Sequence, residues 1–479
     1  MNNLAYQYHI SGAVKRATAY VLEEASSGSN GGSSGGVLNE STTAASSVPK
    51  VLYSETLYYE DCDSEGCTPQ YNGNISRMVH HLAHGSPNYS ESRDVAYAYD
   101  MLNRLTKVED DVEDYFDEIF NYDAQGRIVQ QRRGQNLLAM RYGGEYSYYT
   151  GSNQLEKVMG SMSIDDSGNK RDMSAGNNFL YDRDGNMIED KSKEMTISYD
   201  HRGLPTEFKR EVPSISGVAG EKDSVRLTLA YDGAGSRITK KRERKVSGGE
   251  WTAELTTHYT GIGSEIREDT INNATKVVVN LPQGLGRYDI ASASESSANT
   301  VPSFEWYLKN HLGSTMLVYG TQGISDPTVS NLGSLKAAYD YRAFGEQVDL
   351  TILFNDKVTE TFTGKEKDDE TELSYFGARY LDQMLGLWVS VDAKRQHYSP
   401  YEYGSNNPIV RIDPDGNADM LGVANTGIHV VGGVSLMGLG VSICSSVAGC
   451  ALGIPLLGIG AADLLTVPFN IAMDAKEQT

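Results

Sequence analysis

Between about residue 51 and residue 415, polar and apolar residues alternate in short runs. Turn residues break each run before it is long enough for a helix. The interruptions share a form. "YDMLNRLTKV" begins at Tyr99, "YDAQGRIVQQ" at Tyr122, "YDRDGNMIED" at Tyr181, "YDHRGLPTEF" at Tyr199 and "YDGAGSRITK" at Tyr231. Looser copies begin at Tyr341 and Tyr8. In each, the tyrosine ends a strand, the Asp opens a turn by accepting from its own backbone, and Gly or Asn takes the positive φ. The alternation that follows (Arg127-Ile128-Val129) starts the returning strand. The unit is a β-hairpin.

The spacing of the copies runs from 18 to 59 residues, which excludes a rigid solenoid. A hairpin cannot bury its apolar face alone, so successive hairpins must join one sheet, and a long sheet twists and curls to hide its face and edges. The expected fold is therefore mostly β: a curled antiparallel sheet that forms an enclosure.

Two stretches break the pattern. Residues 25–48 are rich in Gly, Ser and Thr and read as a flexible linker or long loop. From Met420 to Ala462 there is no Asp, Glu, Lys or Arg. That span is long enough for two bilayer crossings of ~20 residues each, broken at Gly453–Pro455, with Gly449 and Gly453 spaced for close helix packing. A membrane-inserting element, an apolar lead-in lining the enclosure, and an inactive remnant all fit this composition.

The totals narrow the class. A formal charge of −22 argues against nucleic acid as the main partner. Tyrosines outnumber phenylalanines 30 to 10, which suits half-wet sheet surfaces. The four cysteines form no disulfide scaffold, and the N-terminus lacks the pattern of a secretory signal. Export, if it occurs, is expected by another route or as part of a longer chain.

The tyrosine-aspartate repeats resemble the Rhs/YD-repeat family. The stretch from about Glu305 to Gly416 resembles its repeat-associated core through "YLKNHLGSTMLVYG", "YDYRAFGEQ", "FTGKEKDDETELSYFGARYLDQMLGLWVSVD" and "NNPIVRIDPDG". The resemblance implies a hollow β-cocoon with the core plugging one end and a variable C-terminal segment, often a toxin, inside. It implies a division into a partial repeat (1–24), a linker (25–50), a shell (51–300), the core (301–417) and an apolar C-terminal segment (418–479). Expected partners are the chain's own C-terminal segment, an immunity protein, and a target-cell membrane. The alternative is an adhesion protein whose exposed tyrosines grip surface carbohydrate.

The resemblance also implies a self-cleavage chemistry of the aspartic-protease kind. Carried over by motif, the aspartates are Asp392 in "SVDAK" and Asp413 in "IDPDG", with Arg379 in "GARY" assisting, and the bond lies between Asn417 and Ala418. Two close carboxylates cannot both ionise easily, so one keeps its proton while the other activates water. The sequence departs from the family pattern: "VDAKR" lacks the Pro and Gly of the first motif, and Asn417 stands where an apolar residue is usual. The same aspartates also suit a purely structural role as turn caps. No other enzymatic signature and no cofactor is implied.

Cys62, Cys67, His80 and His84 have the spacing of a two-Cys, two-His zinc finger. Arg77 stands where a finger needs an apolar residue, and Gly73 interrupts the helix approach, so a Cys62–Cys67 disulfide or two free thiols are expected instead. The acidic run Glu109–Glu118 reads as a solvated face, and the basic run Lys240–Lys245 as an exposed strand or loop.

Overall fold

The computed structural model describes residues 2–8, 14–22, 49–62, 67–86, 89–112, 114–134, 142–160, 162–164, 170–261, 263–281, 286–291, 303–320, 334–352 and 358–421. Most of the Gly/Ser-rich stretch and of the apolar C-terminal segment, with Gly449 and Gly453, lies outside them. Among the described residues, helix is confined to short 3₁₀ turns such as Asp114–Phe116 and Gly404–Asn406. The rest is antiparallel sheet in strict chain order. Ten strands from Asn2–Tyr8 to Leu155–Met159 form one sheet, and fourteen from Phe179–Tyr181 to Gln347–Ile352 form a second. The mostly β, hairpin-built fold expected from the repeats is the one observed.

The repeat turns follow from local chemistry. Each Asp accepts from the N–H groups two and four residues on, at 2.8–3.0 Å, at Asp100, Asp123, Asp182, Asp200 and Asp232. The left-handed position falls on Gly126, Gly185, Gly203 and Gly235 with φ of 80°, 93°, 78° and 90°. In the Tyr99 copy, Asn103 takes it at 64°, the one common residue besides Gly that does so at little cost. The strands then re-pair with a bulge at the tyrosine: Tyr99 lies opposite Leu105, Tyr122 opposite Ile128, Tyr199 opposite Pro205 and Tyr231 opposite Arg237. The looser copies share that register, with Tyr8 opposite Val14 and Tyr341 opposite Gln347.

Successive turns are stapled together. The hydroxyl of Tyr122 donates to the Leu105 carbonyl at 2.7 Å, that of Tyr148 to Ile128 at 2.7 Å, and that of Tyr199 to Met187 at 2.8 Å. The arginine after a turn reaches forward: Arg104 bonds the Asp123 carbonyl at 2.9 Å and lies over the Tyr122 ring, and Arg127 does the same to Ser152 and Tyr148. Burial raises the pKa of Tyr99, Tyr122, Tyr148 and Tyr199, which keeps these hydroxyls protonated as donors.

The turn tyrosines pack on a shared core. It combines Leu57, Phe120 and Ile128 of the first sheet with Phe179, Phe208 and Leu229 of the second, and with Phe376, Tyr380, Trp388 and Tyr403 from residues 358–421. The last strands of the second sheet return to the first. Arg93 pairs with both Asp110 and Asp340, Glu118 accepts from the Ala343 N–H at 2.7 Å, and Thr351 donates to the His84 carbonyl at 3.1 Å.

These contacts correct two expectations. Asp110, Asp117 and Glu118 of the acidic run are buried, because Arg93 pairs with Asp110, the Asp110 N–H donates to Asp117 and the distant Ala343 N–H donates to Glu118. Lys240 of the basic run is buried as well, bonded to Asp368 at 2.6 Å and to Glu366, beside Arg237. Burial works to raise the Glu366 pKa, but Arg237 and Lys240 outweigh it and hold this carboxylate well below its usual range. Cys62 and Cys67 are disulfide-bonded, and His80 sits in the strand Arg77–Leu82, 3.4 Å from Asp340. A strand stands where a finger would need a helix.

The tyrosine staple is testable. Tyr122→Phe keeps the ring under Arg104 but removes the donor to Leu105, and is expected to cost ~1–2 kcal/mol in chemical denaturation. An unchanged denaturation midpoint would show that the hydroxyl contributes nothing.

Candidate functional site

The short pairing of Arg411–Ile412 with Met420–Leu421 closes a hairpin whose loop holds both Asp413 and the Asn417–Ala418 bond. This loop is docked on the segment that carries Arg379. The Ala378 N–H donates to the Asp415 carbonyl at 2.9 Å, and the Arg379 Nε to the Gly416 carbonyl at 2.6 Å. Gly416 has φ of +75°, and a Cβ there would meet the Arg379 nitrogen at 2.8 Å. The contact therefore needs glycine on both conformational and steric grounds.

Arg379, Asp392 and Asp413 come together and are all buried. Arg379 Nη2 lies 3.1 Å from Asp413 Oδ2, and Nη1 lies 3.9 Å from Asp392 Oδ1. The guanidinium stacks on Trp388 at 4.2 Å. Burial lowers the Arg379 pKa from its usual value, against the opposing pull of the two aspartates.

Both aspartates also shape turns. Asp392 accepts from the N–H groups of Lys394 and Gln396 at 2.8 and 3.0 Å, the same two-and-four pattern as the repeat aspartates. Asp413 Oδ1 accepts from Gly416 at 2.8 Å, Asn417 at 3.1 Å and Ala418 at 3.2 Å. Turn capping and proximity to Arg379 thus coexist in the same side chains. What separates Asp392 from the repeat aspartates is its burial beside a second carboxylate's partner.

The carboxylates are pushed in opposite directions. Burial raises the pKa of Asp413, with Arg379 opposing and Asp419 adding to the rise. Burial also works to raise Asp392, but the N–H groups of Gln396 and Lys394, with Arg379, outweigh it and lower its pKa. An upward shift at Asp413 and a downward one at Asp392 run in the directions that a division of acid and base roles between two carboxylates would require.

The polar atoms of the Asn417–Ala418 peptide are both engaged. Gln396 Nε2 donates to the Asn417 carbonyl, and the Ala418 N–H donates to Asp413. Gln396 Nε2 also lies 3.4 Å from Asp392 Oδ2, so one side chain spans the carboxylate and the carbonyl. Sequence reasoning missed Gln396. The Asp turn at Asp392 predicts where its N–H points but not that its side chain crosses to the other hairpin.

A second missed cluster holds the chain just beyond that bond. His397 Nε2 lies 2.6 Å from Asp419 Oδ2, and His397 Nδ1 lies 3.8 Å from Glu402. Asp419 also accepts from the Ser405 hydroxyl at 3.2 Å and the Gly404 N–H at 3.3 Å. Its hydrogen bond with Asp419 raises the His397 pKa. Burial raises Glu402 to about 7, against His397, Arg104 and Arg411.

No family model matches the chain. Its sequence is similar to tRNA nuclease WapA of Bacillus subtilis, 26% identical over 266 residues, which is 53% of this chain and 10% of that protein. It is also similar to salivary gland surface protein 1 of Aedes aegypti, 34% identical over 116 residues, 23% of this chain and 3% of that protein. The matched stretches thus span a tenth or less of those relatives. Among solved structures, the crystal structure of TcdB2-TccC3 aligns with 86% of this chain and 21% of that chain, at 16% identity and a TM-score of 0.49. The Photorhabdus luminescens Tc holotoxin pore aligns with 89% of this chain and 20% of that chain, at 16% identity and a TM-score of 0.46.

The His397 cluster predicts a pH dependence. The His397–Asp419 pair is complete below the usual imidazole range and is lost as pH rises through the raised folded value. Glu402 gains charge facing Asp419 over the same window, near its value of about 7. Both changes loosen the hold on Asp419 as the solution turns alkaline. Hydrogen exchange of the amides of residues 417–421, corrected for intrinsic rates, should accelerate several-fold from about pH 6 to about pH 8. Equal protection at both ends would rule the cluster out as the anchor.

Proposed function

We propose that this chain is an Rhs-type shell protein that surrounds and presents its own C-terminal segment as an effector, and that it cuts itself once between Asn417 and Ala418. The similarity to WapA over 266 residues supports a toxin-related role. The packing of the repeat tyrosines, half-buried against the shared core, supports the shell reading over adhesion. In this reading residues 51–300 are shell, 301–417 the core and 418–479 the presented segment. The protein acts outside the cell that makes it, on a target cell, with an immunity protein as the expected partner.

The grip on both polar atoms of one peptide carries the cleavage reading. Gln396 withdraws charge from the Asn417 carbonyl and would stabilise the oxyanion formed there. Asp413 is placed to protonate the departing Ala418 amine, Asp392 supplies the negative charge opposite it, and Arg379 holds both aspartates in place.

Asp392→Asn removes the charge and keeps one of the two turn bonds, since the amide offers one oxygen where the carboxylate uses both. Intact-mass analysis of the purified wild type should show a fragment beginning at Ala418. In Asp392→Asn and Asp413→Asn its formation should slow on the order of 100-fold or more. Undiminished cleavage in both variants would mean that the aspartates are misassigned.

The apolar composition of the segment after the cut favours membrane insertion as its activity. Among the described residues, no helix is long and apolar enough to cross a membrane. Residues 418–479, exported alone to the bacterial periplasm, should collapse the membrane potential reported by a voltage-sensitive dye. Unaltered potential and growth would count against an inserting effector.

A further inference from the structure

We propose that the nucleophile at this bond is the Asn417 side chain: its amide Nδ2 attacks its own main-chain carbonyl carbon and expels the Ala418 amine. The upstream fragment then ends in a five-membered aminosuccinimide ring. This rests on the cleavage reading and specifies which group opens the peptide.

The residue before the bond is an asparagine, whose Nδ2 makes one long contact, 3.4 Å to the Asp415 carbonyl, at a partly exposed position. It is therefore free to turn toward its own carbonyl carbon, and ring closure from within one residue has a large proximity advantage over attack by solvent. The carbonyl oxygen is already polarised by Gln396 Nε2, and the main chain on the upstream side is fixed by the Asn417 N–H, bonded to Asp413 at 3.1 Å and Asp415 at 3.0 Å. The leaving nitrogen lies 3.2 Å from Asp413 Oδ1.

Asp392 is engaged by its own turn. Both of its oxygens accept N–H groups, from Lys394 on one side and from Gln396 on the other. Its role in this chemistry is to position Gln396, whose Nε2 lies 3.4 Å from Asp392 Oδ2.

The step balances without water or a redox partner. One C–N bond forms, from the Asn417 carbonyl carbon to Nδ2, and one breaks, from that carbon to the Ala418 nitrogen. The proton lost by Nδ2 passes through Asp413 to the amine, so the two fragments together have the composition of the intact chain.

The full chain, sampled early and quenched in acid, distinguishes the possibilities by mass. The proposal expects fragments whose masses sum to that of the intact protein, an upstream fragment that hydroxylamine converts to a hydroxamate, and cleavage slowed on the order of 100-fold in Asn417→Ala. Fragments whose masses sum to the intact chain plus one water at first appearance, inert to hydroxylamine, would overturn the proposal and leave Asp-assisted hydrolysis standing. Undiminished cleavage in Asn417→Ala would do the same. A wild-type chain that stays whole would overturn both this inference and the cleavage reading beneath it.

Discussion

A tyrosine hydroxyl donating to a main-chain carbonyl of the preceding hairpin is the contact on which the sheets depend. A two-stranded hairpin is marginal in water, and sheet pairing alone leaves the direction of each new turn loose. The Tyr122–Leu105 and Tyr148–Ile128 bonds remove that freedom by fixing each turn on the one before it. The arginines Arg104 and Arg127 clamp the same junctions from the polar side, over the tyrosine ring and onto the next turn's carbonyl. Phenylalanine could fill the same space but could not make the bond, which gives a physical reason for a chain with 30 tyrosines and 10 phenylalanines.

That wall holds residues 358–421 by buried ion pairs as well as by apolar packing. Lys193 meets Asp382 at 2.8 Å, Arg210 meets Glu372 at 3.0 Å, and Arg237 and Lys240 meet Glu366 and Asp368. Removing charges from water is costly, and such pairs offset that cost only with good geometry and further hydrogen bonds. Their contribution here is to register: each pair joins one place on a long, repetitive sheet to one place on an irregular segment. That fixes Arg379 and Asp392 relative to the final hairpin, and so brings the Asn417–Ala418 bond to Gln396.

The Asp turn is used twice, for different ends. In the repeats it is a partly exposed punctuation mark between strands. At Asp392 the same two hydrogen bonds recur in a buried setting, beside a guanidinium shared with Asp413. The turn that builds the wall thus supplies the scaffold for the candidate chemistry, with Arg395 taking the left-handed position, at φ of +50°, that glycine takes in the repeats.

Much of the fold was legible in the residues. Asp at the head of a turn, Gly or Asn at its left-handed position and alternation beyond it act over at most six residues, so spacing alone determined the hairpins, down to Tyr8 opposite Val14 in a loose copy. The union of Arg379, Asp392 and Asp413 was readable only through likeness to a family. The sequence could not say that Lys240 and Glu118 are buried, that Gln396 crosses to the Asn417 carbonyl, or that His397 holds Asp419. Those depend on partners brought together by the folded sheets, 128 residues apart for Lys240 and Asp368 and 225 for Glu118 and Ala343. Local hydrogen bonds are set by chain geometry, which the sequence carries. Burial, and with it the upward shift of the Asp413 pKa, is set by neighbours that only tertiary packing supplies.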